Sequence, residues 1–350
     1  MNPLRQFWRR AARACGRRVL ARPLRCLPGL LGVLALVLSG SALAQGAGAG
    51  AGARGSIRFI VPFPAGGSAD LVSRIVARGL GEALGQQIVV DNRAGAGGTI
   101  GSTLLARSSP DGLNIGLGTV STLALAPSLY RSLAYEPDAA FEPITLISEA
   151  PFLLVVNGAV PARTLGEFIE LARSRPGQLN YSSIGSGTIL HFAGEHFNRL
   201  ANVQTVHVPY KGAAPALVDL LAGQVQFMID QVASFQVQNL QSGRLRALAV
   251  TGPARLSALP DVPTAREAGL ADFELVTWFS LMAPRGTSSE AIARLGAAAR
   301  STLAGAELRE LFREQGLEPR PSTPRELAER IGRDRLRWAG IIRATGFQLD

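Results

Sequence analysis

The stretch from Ile57 to Ser102 constrains the fold most, because strand, glycine turn and helix follow one another in it without spare linker. Arg58-Phe59-Ile60-Val61 is a short apolar run of the kind a buried parallel strand needs. Pro62 and Pro64 stop it, and Ala65-Gly66-Gly67-Ser68 turns the chain. From Asp70 onward Leu71, Val72, Ile75, Val76, Leu80, Ala83 and Leu84 recur on one face of a period of about 3.6 residues, which predicts a helix. Ser68 is the expected N-cap, and Asp70 suits the positive end of the helix dipole. Gln87-Ile88-Val89-Val90 then reads as the return strand of a right-handed βαβ unit.

Such a unit leaves backbone N–H groups on side-chain-free glycines at the carboxyl edge of a parallel sheet, where anions bind readily. Gly66-Gly67 is therefore either a tight turn alone or an anion notch. A second glycine loop, Ala94 to Gly101, recurs at the same edge. It misses the dinucleotide fingerprint, since Ile100 stands where the third glycine belongs, so no nucleotide cofactor, and no cofactor of any kind, is expected.

The formal charge of +10 suggests an anionic partner, but its origin argues otherwise. Residues 1–44 hold eight of the 36 basic residues and no acids, which leaves 28 against 26 acidic residues beyond them. Nucleic-acid binding loses its support. That basic stretch precedes an apolar core from Leu30 to Leu38 and then Ser-Ala-Leu-Ala, so residues 1–44 read as a signal peptide cleaved after Ala44. The apolar run is too short to span a bilayer. Arg9-Arg10 and Arg17-Arg18 also permit a twin-arginine signal. Cys15 and Cys26 both lie before the apolar core, so the mature chain has no cysteine for disulfides, thiolate metal sites or catalysis. A soluble periplasmic protein is expected.

Residues 45–55 are an Ala/Gly leader. A first α/β lobe is expected over 56–151 and 252–350, with a second over 152–251. In the first, Leu113 to Gly118 reads as a strand leading into the hydroxyl-rich turn Thr119-Val120-Ser121-Thr122. Phe152 to Val156 is the strand at the crossing, and Thr164-x-x-Glu167 is a capping box for the next helix. Asn180 to Ser183, then Ile184-Gly185-Ser186-Gly187-Thr188 and a helix, repeats the opening design of strand, small-residue loop and helix N-terminus. Strands at Val206–Val208, Val225–Ile229 and Leu245–Thr251 follow, with Pro215 in the first turn of an intervening helix. Thr264-x-x-Glu267 is expected to cap a short helix, Phe273 to Ala283 to be extended, and two helices to close the chain. Two crossings between two α/β lobes imply a hinged cleft suited to a small ligand.

Catalytic and metal-binding constellations are absent from the pattern. His191 and His196 are five apart, off the spacing of a helical metal pair, and no metal site is expected. Gly185-Ser186-Gly187 lacks the spacing of a nucleophile elbow. Lys211 is a turn residue or one partner of an interlobe ion pair, and Arg93 a partner for Asp91 or Asp70. What remains is small-residue loops at helix N-termini in both lobes, which hold a carboxylate by backbone N–H groups, short hydroxyls and the helix dipole.

PFPAGGSAD, VVDNRAGAGGTIG, PDG, YSSIGSGTILH, HVPYKGAAPALVDLLAG, LPDVPTAREAG and TWFSLMAPRGT run in order along the chain. In these motifs it resembles the Bug family, periplasmic receptors of tripartite tricarboxylate transporters. Ala94, Thr188 and Phe192 depart from that family's usual proline, serine and leucine. The resemblance implies a two-lobed type II periplasmic binding protein fold with a hinged cleft. It also implies a ligand carboxylate held between the loop after the first strand and its second-lobe counterpart. Carried onto this sequence, these are Ala65, Gly66, Gly67, Ser68 and Asp70, with Ser183, Gly185, Gly187 and Thr188. Thr119 and Ser121 are candidate contacts from the first-lobe rim. Phe63, Tyr210 and Trp278 are either cleft walls or core. Asp230 and Gln231 are placed to read the far end of the ligand. The expected protein is a monomeric receptor that catalyses nothing, captures a small organic acid and presents it to membrane transporter subunits. The alternatives are an input protein for a membrane sensor kinase, or a cleft enzyme with Asp70 or His191 as base.

Overall fold

The computed structural model describes residues 55–235, 237–345 and 349; the signal peptide, its cleavage position and most of the Ala/Gly leader lie outside them. The opening run forms β1 (Ile57–Val61), buried along its length except at Arg58, whose guanidinium reaches Asp91. It continues through α1 (Ser68–Leu84), β2 (Ile88–Asn92), α2 (Thr99–Ala106) and β3 (Asn114–Thr119). A π-helical segment over Val120–Leu125, the short α3 (Ala126–Leu129) and α4 (Pro137–Ala140), and β4 (Phe141–Pro151) complete this portion. The chain then builds β5 (Leu153–Asn157), α5 (Leu165–Ser174), β6 (Asn180–Ser183), α6 (Ile189–Ala201) and β7 (Val206–Pro209). After these come α7 (Ala213–Leu221), β8 (Phe227–Asp230), the short α8 (Val232–Phe235) and α9 (Val237–Gln241), and β9 (Leu245–Val250). Finally β10 (Val276–Pro284) precedes α10 (Ser289–Ala304), α11 (Ala306–Glu314), β11 (Glu318–Pro319) and α12 (Pro324–Thr345).

The strands make two mixed sheets, ordered β11-β4-β10-β3-β1-β2 and β7-β6-β8-β5-β9. Each has the same kernel. In the first, β1 lies parallel between β2 and β3, with antiparallel β10 beside β3. In the second, β6 lies parallel between β7 and β8, with antiparallel β5 beside β8. The strand order therefore reverses between β1 and β3 and again between β6 and β8. Crevices open at the carboxyl ends of strands at such reversals. The two-lobed α/β periplasmic binding protein architecture follows from these two sheets.

Two strands of chain join the sheets side by side, and Thr251 stitches them. Its Oγ1 accepts from the Phe152 N–H at 2.8 Å and donates to the Leu275 carbonyl at 2.6 Å. The apolar core is continuous across the sheets: Phe192 of α6 meets Trp338 of α12 edge to face at 5.4 Å.

Several local expectations are corrected. Helix α1 begins at Ser68 with Gly67 as its N-cap, so Ser68 is not the cap and no side chain caps this end. The Thr264–Glu267 box forms, with the Glu267 N–H on Thr264 Oγ1 at 3.1 Å and the Thr264 N–H on Glu267 Oε2 at 2.7 Å, yet it closes only a turn. Gly269 follows at φ +91 and ends the turn before a helix can propagate. Three helices, not two, follow β10, because the extended Gly305 separates α10 from α11.

Candidate functional site

A narrow cavity of about 50 Å³ lies between the sheets. The β1–α1 turn lines it with Phe63, Pro64, Gly67, Ser68 and Ala69. Thr119 and Ser121 enter from the end of β3, and Thr277 and Phe279 from β10. Across the gap stand Ile184, Ile189 and Leu190 around the start of α6, Gly212 and Ala213 at the start of α7, and Asp230 and Gln231 at the end of β8. Phe152, at the crossing, closes the wall. All four parallel strand ends that border the two reversals of strand order thus meet at one space.

Two helices point uncapped N-termini at this space. Helix α1 has Gly67 as its cap residue and α7 has Gly212, and neither cap offers a side-chain acceptor. They face each other closely: a methyl added to Gly67 would stand 3.9 Å from the Ala213 Cβ. First-turn N–H groups together with the positive dipole end of a helix favour an anion.

The Gly66 turn is held from beneath. Asp70 Oδ2 accepts the Gly66 N–H at 3.0 Å and Arg74 Nε at 2.9 Å. Burial pushes this carboxyl up, but the bonds from Arg74, Gly66 and Asn92 outweigh it and hold it below the usual carboxylate range. Asp70 remains charged and fixes the notch without entering the cavity.

The second-lobe glycine loop is arranged differently, because its donors are already engaged. The Gly185 N–H reaches Ser183 Oγ at 3.2 Å and the Gly187 N–H reaches His191 Nδ1 at 3.4 Å. Thr188 Oγ1 caps α6 by accepting the His191 N–H at 3.3 Å. The Ile189 N–H crosses to Ser121 Oγ of the first sheet at 3.0 Å. Nearby, Gly97 (φ +63) and Gly187 (φ +80) pack against one another, where a side chain on Gly97 would strike the Gly187 carbonyl at 2.9 Å. This loop is a lobe-to-lobe seam.

Beneath it the His191 and His207 rings stack at 3.7 Å, and His207 Nε2 bonds Ser183 Oγ at 2.7 Å. Burial, with the neighbouring His207 ring, pulls His191 down to about 3, and burial pulls His207 down to about 4. Both are neutral at neutral pH. The serine–imidazole pair has the form of a nucleophile and base, but Ser183 is wholly buried and does not line this cavity.

Of the residues expected at the site, the structure brings Phe63, Gly67, Ser68, Thr119, Ser121, Asp230 and Gln231 to the cavity wall. Ala65, Gly66, Asp70, Ser183, Gly185, Gly187 and Thr188 stand in the turns beside or behind it. Two aromatic candidates have other work. Trp278 is fully buried, with Nε1 donating to Asp334 Oδ2 at 2.6 Å, so it belongs to the core. The Tyr210 hydroxyl donates to Asp219 Oδ2 at 2.6 Å, away from the cavity. Arg93 pairs with Asp91 at 2.8 Å. Gly212, Ala213, Phe152 and Phe279 were missed. For Gly212 and Ala213 the sequence signal is a glycine directly before a helix carrying Pro215 in its first turn; Phe152 and Phe279 have no such local mark.

No cluster of three or more His, Cys, Asp or Glu is placed to hold a metal among the described residues. No helix among them is long and apolar enough to cross a membrane.

The model of the tripartite tricarboxylate transporter family receptor matches residues 72–347. The chain is 35% identical over 321 residues to protein BugT of Bordetella pertussis, spanning 91% of this chain and 98% of that one. It superposes on the periplasmic binding protein BugD with a TM-score of 0.80 at 34% identity, covering 84% of this chain and 99% of the other. It also superposes on MatC from Rhodopseudomonas palustris with bound malate, with a TM-score of 0.78 at 36% identity, covering 82% and 98%.

Proposed function

The chain belongs to the tripartite tricarboxylate transporter receptor family, and from that premise we propose that it is an exported receptor whose two lobes shut on a small carboxylate-bearing organic acid. The closed form then docks on the membrane transporter subunits of such a system and hands the acid over. Its lobes are residues 56–151 with 252–350, and residues 152–251; the signal peptide is removed after Ala44. The receptor works as a monomer and makes or breaks no bond.

The observation that carries this reading is the convergence of two uncapped helix N-termini, one from each lobe, on one interlobe cavity. A carboxylate seated there touches the α1 turn at Gly67, Ser68 and Ala69 and the α7 turn at Gly212 and Ala213. It touches both only when the lobes are shut. Binding therefore shifts an open–closed equilibrium by its differential affinity for the closed form. The bound malate of MatC supports an organic acid as the class of ligand.

The test is a thermal-shift screen of the chain from Gln45 onward against organic acids, since a ligand that binds only the native state raises the melting temperature. At least one acid is expected to raise it, and Gly67→Val to abolish that rise. Gly67 has an ordinary negative φ, so valine folds there, but its methyl groups fill the space before Ala213. An unchanged ligand response in the folded variant contradicts the seat. Ligand-dependent capture of transporter subunits from membranes tests the partner, and capture of a sensor kinase in their place overturns it.

A further inference from the structure

Where the β1–α1 turn meets the start of α7, the edge of the cleft is also an outer surface. Pro64 stands against Gly212, at which an added methyl would lie 3.4 Å from the Pro64 ring. Outward of that contact Ala65 and Gly66 are exposed on one side, and Lys211, Ala214 and Pro215 on the other. Val218, four residues beyond Ala214 and so on the same face of α7, is 63 % exposed. The opposite face of α7, with Ala213, Ala216 and Leu217, is buried. Two small apolar faces from different lobes thus abut, and they do so only while the lobes are shut.

The charge on this rim is one-sided. Arg74 and Arg93 are 54 % and 53 % exposed, whereas the acids that pair with them, Asp70 and Asp91, are 8 % and 21 % exposed. These pairs turn their guanidinium groups to solvent and their carboxylates inward. Asp91 serves Arg58 as well. Asn92 ties the group to the turn, donating to the Phe63 carbonyl at 3.0 Å and accepting from Arg74 Nη2 at 3.3 Å. Across the gap the Lys211 ammonium makes no ion pair among the described residues. The acid of α7 closest to it in sequence, Asp219, accepts the Tyr210 hydroxyl instead. Exposed cations around an apolar patch suit an acidic surface, and such complementarity sets partner choice and encounter rate.

We infer that this shut rim is the docking surface for the membrane transporter, and that it takes an acidic segment with apolar side chains from a membrane subunit. Carboxylates of that segment meet Lys211 from one lobe and the arginines from the other, and its apolar side chains cover Ala65, Pro215 and Val218. A partner that needs both halves binds the closed form in preference to the open one. This rests on the receptor reading given above and names the surface by which the loaded receptor is recognised.

The experiment uses the chain from Gln45 onward, with and without an acid found by the thermal-shift screen, on membranes of the source bacterium. A carbodiimide then couples amines to carboxyl groups in contact, and Lys211 is the chain's only lysine. The expected product joins Lys211 to an Asp or Glu of a tripartite transporter membrane subunit, and forms several times more when the acid is present. Lys211→Glu is expected to lower ligand-dependent capture of that subunit about tenfold or more, and Lys211→Arg to retain it, with the ligand-induced thermal shift kept in both. Arg93→Gln and Val218→Ser are expected to weaken capture less. Undiminished capture by Lys211→Glu, or equal capture with and without the acid, overturns the docking surface and leaves the ligand seat standing. Binding to vesicles of phosphatidylcholine and phosphatidylglycerol that Lys211→Glu abolishes makes the partner a lipid surface and overturns it too. Failure of every acid to raise the melting temperature overturns the receptor reading, and this inference with it. If Lys211→Glu does not fold, the cross-link on the unaltered chain decides.

Discussion

At the scale of single residues, the glycine loops of the two lobes have different tasks, and Thr188 shows why. Its hydroxyl caps α6 and also donates to the Gly185 carbonyl at 2.7 Å, so it is occupied within its own loop. Thr188→Ala is expected to lower stability by about 1 kcal/mol, the usual value of an N-cap, while the ligand-induced thermal shift keeps its size. Loss of the shift in a folded Thr188→Ala protein would instead place that hydroxyl on the ligand. The stacked His191 and His207 make a second prediction. Each folded imidazole titrates far below its ordinary value of 6.5, chiefly through burial. As pH falls below 6.5 the unfolded chain takes up protons that the folded chain refuses, so the unfolded state gains. Stability supplied by the neutral rings is full above pH 6.5 and is lost progressively down to about pH 4 for His207 and about pH 3 for His191, where each titrates when folded. The melting temperature is expected to fall over that window, and to fall less steeply in His207→Gln. An equal slope in both proteins contradicts the assignment.

At the scale of elements, the parts written locally in the chain were readable and those set by strand order were not. The β1–α1–β2 unit follows from an apolar run, a glycine turn and a helical period within one stretch, and β6–α6–β7 repeats that pattern. Of the capping box expected at Thr164–Glu167 the cap itself forms, with the Glu167 N–H on Thr164 Oγ1 at 3.2 Å, whereas the Glu167 carboxylate accepts the Arg163 N–H at 2.6 Å and not that of Thr164. Which helix ends reach the cavity is a different question. The sequence pointed to α6 because its glycine loop looks like that of α1. The structure turns that loop inward on Ser183, His191 and Ser121, and brings the plainer Gly212–Ala213 start of α7 opposite Gly67. Likewise Trp278 resembles a cleft wall until α12 supplies Asp334, far along the chain, as its partner. Long-range partners of this kind leave no mark in a local pattern. The seam has its own consequence: Ser121→Ala removes the acceptor for the Ile189 N–H in the closed form. Ligand affinity is expected to weaken by about 1 kcal/mol, roughly fivefold in Kd, because only the shut state contains that bond. Calorimetry on the variant checks this, and an unchanged Kd shows that the bond does not favour closure.

At the scale of the whole molecule, closure joins two copies of one design. Each sheet presents a point where its strand order reverses, and the paired crossings at Phe152 and Thr251 hold the two points against one another. The Phe192–Trp338 contact carries apolar packing from α6 to α12, so opening must slide or part that contact as well as the polar seam. A ligand that bridges the lobes offsets this by adding contacts that neither lobe makes alone. The most direct test of that bridge is amide hydrogen exchange with and without a saturating acid identified by the thermal screen. Slower exchange is expected in both Ser68–Leu71 and Ala213–Leu217, at the first turns of α1 and α7 in opposite lobes. Protection confined to one lobe, or centred on residues 185–191 with α7 unchanged, would contradict the account.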